Sequence, residues 1–236
     1  MSNFDIFTWE LLGTGVLILL GTGSVASVTL KDALARPMGA GWVVIVLGWG
    51  FAVFAGASVA APSGAHINPA VTLALAINGT TPWGDVPFYV AGQLVGAIIG
   101  ASLSWAVFKL LFDAHDDNAN TRGIFCTGPA IRDLRWNAVS EGIATFVLVL
   151  WVVTNPAANA GLGYAGVAFV VITIGFALGS TTGYAINPAR DLGPRIAYWF
   201  LPIPGKADPD WAYAWVPIVG PLVGAALAAW LGMAVI

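Results

Sequence analysis

One stretch occurs twice and limits what the chain can fold into. Residues 63–72 read SGAHINPAVT and residues 182–191 read TGYAINPARD. In each copy an asparagine, Asn68 or Asn187, stands where an N-cap accepts a backbone N–H. A proline, Pro69 or Pro188, follows at the first helical position, where its missing N–H and fixed φ do no harm, and Ala70 or Ala189 completes the triplet. Both copies therefore predict a helix that begins at its asparagine. The first runs only to about Asn78 and Gly79, roughly ten residues or about 15 Å, half the hydrocarbon thickness of a bilayer. Such a helix cannot span alone. Two of them entering from opposite faces would meet near the midplane, with positive dipole ends and capping asparagines converging.

The bilayer follows from composition. With 58% hydrophobic and only 9% charged residues in 236, and a mean hydropathy of +0.83, the chain has too little charge to cover a water-soluble surface. Apolar runs centre on 9–28, 42–61, 86–112, 136–154, 163–181 and 213–235, which predicts six spans beside the two half-spans. The first run is long and glycine-rich and lacks a basic leader, so it is expected as a span rather than a cleaved signal peptide. The net charge of -3 and the lack of any basic run argue against a nucleic-acid partner.

Internal repetition sets the architecture. GQLVGA at 92–97 returns as GPLVGA at 220–225, and Glu10 in the first span matches Glu141 in the fourth. Each half reads span, span, half-helix, span. Three full spans per half force the second half to insert upside down, giving inverted repeats over about 1–112 and 136–236. Gly92, Gly96 and Gly100, and Gly220 and Gly224, fall at spacings of four and predict close helix packing. Loops are expected at 29–41, 113–135, 155–162 and 201–212. The stretch 113–135, with Asp113, His115, Asp116 and Asp117, reads as a solvated loop, and His115 as a surface residue rather than a metal ligand. A third Asn-Pro-Ala, at 155–157, has no apolar half-helix behind it and reads as a turn. The single Cys126 excludes an internal disulfide and reads as an incidental loop thiol. No metal or cofactor is expected.

These elements resemble the aquaporin, or major intrinsic protein, family along nearly the whole chain, and within it the glycerol-conducting aquaglyceroporins. Asp191 after Arg190, Arg195 four further on, and Pro217-Ile218 in the last span carry the second likeness. The resemblance implies an all-α membrane protein, one channel domain over 1–236 with six transmembrane helices and two re-entrant half-helices in an inverted repeat. It implies a narrow constriction formed by Trp49, Gly175, Tyr184 and Arg190. Trp49 aligns only with one residue deleted before Ser63, and Tyr184 stands where a phenylalanine is usual. It further implies a homotetramer with one pore per subunit, in the cell membrane with both termini cytoplasmic. The Lys and Arg distribution points the other way, since all nine lie on the side of the first, third and fifth loops.

The residues suggest the chemistry. Backbone carbonyls of 64–67 and 183–186 are candidate acceptors facing a pore, because irregular backbone at membrane depth must be buried or line water. Asn68 and Asn187 can cap with oxygen and still offer NH₂ donors. Two positive helix ends and Arg190 should exclude cations. Trp49 and Tyr184 would form an apolar corner for a carbon chain, with Arg190 donating to hydroxyls. Glu10 and Glu141, ionisable groups in apolar spans, could relay protons or, as in the family, brace the half-helix loops. Asp191 can pair with Arg195 at i,i+4. His66 either exposes a ring nitrogen to the pore or is a buried structural histidine. The leading expectation is a passive channel for glycerol, other small neutral solutes and water, and no enzyme. The alternative is a proton-coupled transporter using Glu10 or Glu141. An intramembrane hydrolase built on Ser63 and His66 lacks an orienting acid.

Overall fold

The structure is a computed structural model that describes residues 1–154 and 161–235. The 155–157 triplet lies outside the described residues. Among those described there are helices and turns but no strand. The long helices are α1 (Asn3–Thr29), α2 (Gly41–Val59), α4 (Val86–Val107), α7 (Leu134–Thr154) and α10 (Val216–Val235), all long and apolar enough to cross a membrane. The sixth, α8 (Tyr164–Ala177), has 14 residues, about 21 Å of helix. The half-helices are α3 (Pro69–Ile77) and α9 (Pro188–Phe200); α5 (Lys109–Ala114) and α6 (Arg122–Phe125) are short. The apolar run expected over 86–112 is broken at Phe108, which caps α4 before α5 begins.

α1 packs on α2 and α4, α7 on α10, and α2 on α8. The spaced glycines lie at these crossings. A Cβ on Gly96 would stand 2.3 Å from the Leu11 carbonyl oxygen, and one on Gly224 would stand 2.1 Å from that of Gly142, so only glycine admits the neighbouring backbone. Leu12, Ile99, Ile143, Phe169 and Val223 point outward and are exposed, as expected for faces solvated by lipid.

The two loops leading into the half-helices have the same shape. Positive φ recurs at Gly64, Ala65 and Ile67 (90°, 57°, 43°) and at Gly183, Tyr184 and Ile186 (84°, 39°, 45°). A β-branched isoleucine in the left-handed region is uncommon, and its recurrence at matching places shows that the two loops share one backbone conformation.

The stretch 113–135 departs from the expected solvated loop. Asp113, Asp116 and Asp117 are exposed, but Asn118, Thr121, Ile124, Phe125, Cys126 and Thr127 are buried. The cause is α9, whose Arg190, Asp191 and Arg195 need polar partners, and the segment folds inward to supply them. Cys126 is a buried free thiol whose burial pushes its pKa up to about 12. His115 is half-buried and accepts the Lys31 backbone N–H at its Nδ1, 3.0 Å away.

Candidate functional site

The half-helices meet head to head. Asn68 Oδ1 accepts from Ala70 N at 2.9 Å, and Asn187 Oδ1 accepts from Ala189 N at 3.0 Å and Arg190 N at 3.2 Å. Pro69 and Pro188 hold the first helical positions as the sequence predicts. Each asparagine also reaches across. Asn68 Nδ2 donates to the Ile186 carbonyl at 2.9 Å and Asn187 Nδ2 to the Ile67 carbonyl at 2.8 Å. This adds to the expected picture, because one hydrogen of each amide and one lone pair of each carbonyl now tie the loops together. The second amide hydrogen of each asparagine is left for another acceptor.

Two buried carboxylates hold the strained loops. Glu10 accepts from Ser63 Oγ at 2.7 Å, His66 N at 3.0 Å, Ile67 N at 2.7 Å and Gln93 Nε2 at 2.8 Å. Glu141 accepts from Thr182 Oγ1 at 2.6 Å, Ala185 N at 3.0 Å and Ile186 N at 2.9 Å. The fourth donor is missing from the second half because Pro221 stands in GPLVGA where Gln93 stands in GQLVGA. Ser63 gives its hydroxyl to Glu10. His66 is buried, stacks on Tyr89 at 3.9 Å, and has its Nδ1 3.1 Å from Thr72 Oγ1.

A cavity of about 290 Å³ runs past these loops. Its lining includes Trp49, Tyr184 and Arg190, the asparagines Asn68 and Asn187 with His66, and Leu75, Trp151 and Tyr164. The Arg190 guanidinium lies over the Trp49 ring, 3.7 Å from its centroid, and its Nη1 donates to the Phe125 carbonyl at 3.3 Å. Asp191 receives Arg195 Nε at 2.8 Å and both the N–H and the hydroxyl of Thr127 at 2.7 Å. It thereby fastens the segment that carries Phe125 to the helix that carries Arg190. Farther out, Arg132 donates to Asp210 at 2.7 and 2.9 Å and holds its carboxyl below the ordinary value.

Gly175 lies directly against the Tyr184 ring. A Cβ there would meet Val46 at 2.9 Å and Tyr184 Cζ at 3.0 Å, so its missing side chain is the bed on which the Tyr184 ring lies. Sequence reasoning did not find Phe125, Thr127, Gln93, Trp151 or Tyr164. Phe125 acts through its carbonyl, which no side-chain pattern reveals. Gln93 was readable as the polar member of the repeated GQLVGA.

This fold and this site define a multi-pass membrane protein enclosing a small polar-and-apolar conduit. The chain belongs to the major intrinsic protein family, whose sequence profile matches residues 2–231. It is 52% identical over 225 residues to "Glycerol uptake facilitator protein 3" of Lactiplantibacillus plantarum, covering 94% of this chain and 93% of that one. It is 50% identical over 221 residues to "Glycerol uptake facilitator protein" of Bacillus subtilis, covering 92% and 80%. Among solved structures, the aquaglyceroporin from Plasmodium falciparum superposes with a TM-score of 0.83 at 30% identity over 98% of this chain and 95% of that one.

Proposed function

We propose that the protein is a passive channel for glycerol and other small neutral solutes, with water, that excludes ions and protons. The observation that carries this reading is the part of the cavity wall where Arg190 lies against Trp49, with Tyr184 in the same lining. Two aromatic faces suit a carbon chain, and the guanidinium, with Nη1 already fixed on Phe125, keeps further N–H groups for hydroxyls. Relatives of about 50% identity that bear the glycerol uptake facilitator name support the choice of solute. In this reading Trp49, Tyr184 and Arg190 select, with Gly175 behind them, and Asn68 and Asn187 order a single file at the midplane. Glu10, Glu141, His66 and Asp191 hold the loops. The described lining residues include no carboxylate, and two helix N-termini with Arg190 oppose cations. Nothing favours proton coupling through Glu10 or Glu141, whose oxygens are taken up by loop donors.

The working unit is one domain of two inverted repeats over about 1–112 and 136–236, assembled as a homotetramer in the cell membrane with both termini cytoplasmic. Of the nine basic residues that oppose this orientation, Arg190 and Arg195 are buried in the site and are no topology signal. The function is tested in proteoliposomes by glycerol-driven swelling. Glycerol flux without a pH gradient supports the channel, and flux that needs one overturns it. Labelling, from outside intact cells, of cysteines placed at the exposed positions Asp116 and Ala119 tests the orientation, and protection there reverses it.

A further inference from the structure

The glycines of the bundle divide by what a Cβ on each would strike. At Gly92, Gly96, Gly100 and Gly224 the first obstacle is a backbone carbonyl of another helix, at 2.1–2.4 Å, so these positions set helix spacing. Gly21 on α1 is different. All three nearest atoms belong to the Trp49 indole, at 2.2, 2.3 and 2.6 Å, where real Cβ contacts stay beyond 3.0 Å. The atoms struck, Cζ3, Cε3 and Cη2, form the rigid six-membered ring, which has no flexible end to yield. Trp49 is 3% exposed and carries Arg190 on its face, so the open volume beside it is the cavity it lines. Gly179, just past α8, stands in the same relation to the other aromatic, with Tyr184 Cδ1 2.5 Å from its would-be Cβ, although there the Gly175 carbonyl is equally close.

The repeat gives an independent comparison. Adding the 131 positions that separate Glu10 from Glu141, Val152 stands where Gly21 would be. In that half the α8 side chains lining the cavity are Tyr164, Val167 and Val171, while the tryptophan is Trp151 on α7, and a Cβ on Gly166 of α8 would stand 2.6 and 2.8 Å from its indole. A glycine set against a cavity-lining tryptophan thus recurs in the second half with the two helices exchanged.

We infer that Gly21 is a positioning residue for solute selection: it seats the Trp49 indole back against α1 and so fixes the opening between Trp49, Tyr184 and Arg190. The inference rests on the channel reading and adds to it a residue that never touches solute. A side chain at Gly21 drives the indole into the lumen, where a three-carbon solute is obstructed sooner than water.

The test compares wild type, Gly21→Ala, Trp49→Phe and the double variant Gly21→Ala/Trp49→Phe in proteoliposomes at matched amounts of folded protein. Water and glycerol permeabilities are both measured. Gly21→Ala should lower glycerol permeability about tenfold or more and water permeability much less, and the double variant should return glycerol permeability to within about threefold of Trp49→Phe. Wild-type glycerol flux with an unaltered Gly21→Ala overturns the inference alone, whereas no glycerol flux through wild type overturns the channel reading. A parallel fall in both permeabilities that trimming Trp49 does not rescue also overturns it, because Gly21 then only spaces helices. Should Gly21→Ala fail to fold, recovery of the fold by Trp49→Phe supports the inference, and failure of the double variant to fold refutes it.

Discussion

Glu141→Gln removes one charge and almost no volume, and its effect can be worked from the loop it holds. Tyr184 and Ile186 sit in the left-handed region at φ 39° and 45°, a conformation that costs about 1–2 kcal/mol per non-glycine residue, or about 2–4 kcal/mol for the pair. Glu141 opposes this with three bonds, from Thr182, Ala185 and Ile186, each worth about 1.5–3 kcal/mol when the acceptor is charged. A glutamine keeps one acceptor oxygen, which can serve Thr182 and Ala185 as Oε1 does now. Its NH₂ then confronts the Ile186 N–H, so one charge-assisted bond is lost and a buried donor is orphaned, together about 2.5–6 kcal/mol. That is as large as the margin by which the bonds exceed the strain. The loop should therefore leave its conformation and carry Tyr184 with it. Glycerol permeability, read by stopped-flow light scattering at matched folded protein, should fall about tenfold or more, each tenfold being about 1.4 kcal/mol. Glycerol flux within about twofold of wild type would refute the reasoning, since Glu141 would then not hold the loop against its strain.

Asn187→Asp keeps the cap on Ala189 and Arg190 but sets an oxygen against the Ile67 carbonyl and a negative charge at the helix end. Lost glycerol flux or a cation leak is expected, and unchanged flux with zero conductance counts against a donor role for the asparagines. Asp191→Ala leaves the Arg195 guanidinium buried without its carboxylate, which should destabilise the fold by about 3–5 kcal/mol. Thermal unfolding in detergent checks this, and an unshifted midpoint would show that the Pro209 and Asp210 carbonyls suffice for Arg195. Gly175→His must evict the Tyr184 ring before it can line anything, so glycerol permeability should fall about tenfold or more and water permeability less. Equal loss of both would place Gly175 outside solute selection. Asp210 has its pKa lowered by Arg132, so the stability it adds is complete above the unfolded carboxylate value and fades only as pH falls through the lowered one. Glycerol permeability should be flat from about pH 8 to about pH 5, and a titration near pH 6 would require another group.

The helix plan was legible because a lipid-dissolved chain writes its spans as apolar runs and its half-helices as Asn-Pro starts, and the repeat marks which half matches which. The short inputs were not legible. The 113–135 segment looks polar and irregular, yet it is ordered by partners on α9 that are 64 positions away or more, as in the Thr127 to Asp191 bonds. Similarly, the family resemblance places Gly175 at the constriction, and only the packed ring of Tyr184 shows what lies against it. Glu10 and Glu141 stood out as charges in apolar spans. Which donors meet them depends on loop backbone that follows from positive φ at alanine, tyrosine and isoleucine, residues whose chemistry does not announce it.

Passive, uncharged conduction of a polyol can be recorded in a single preparation. Purified protein is placed in vesicles carrying an internal pH dye, and glycerol influx, internal pH and membrane current are followed together with and without an imposed pH gradient. Glycerol influx should be free of saturation and the same in both conditions, with no proton movement and no current. Influx that appears only with the gradient, or that is accompanied by acidification, would contradict it.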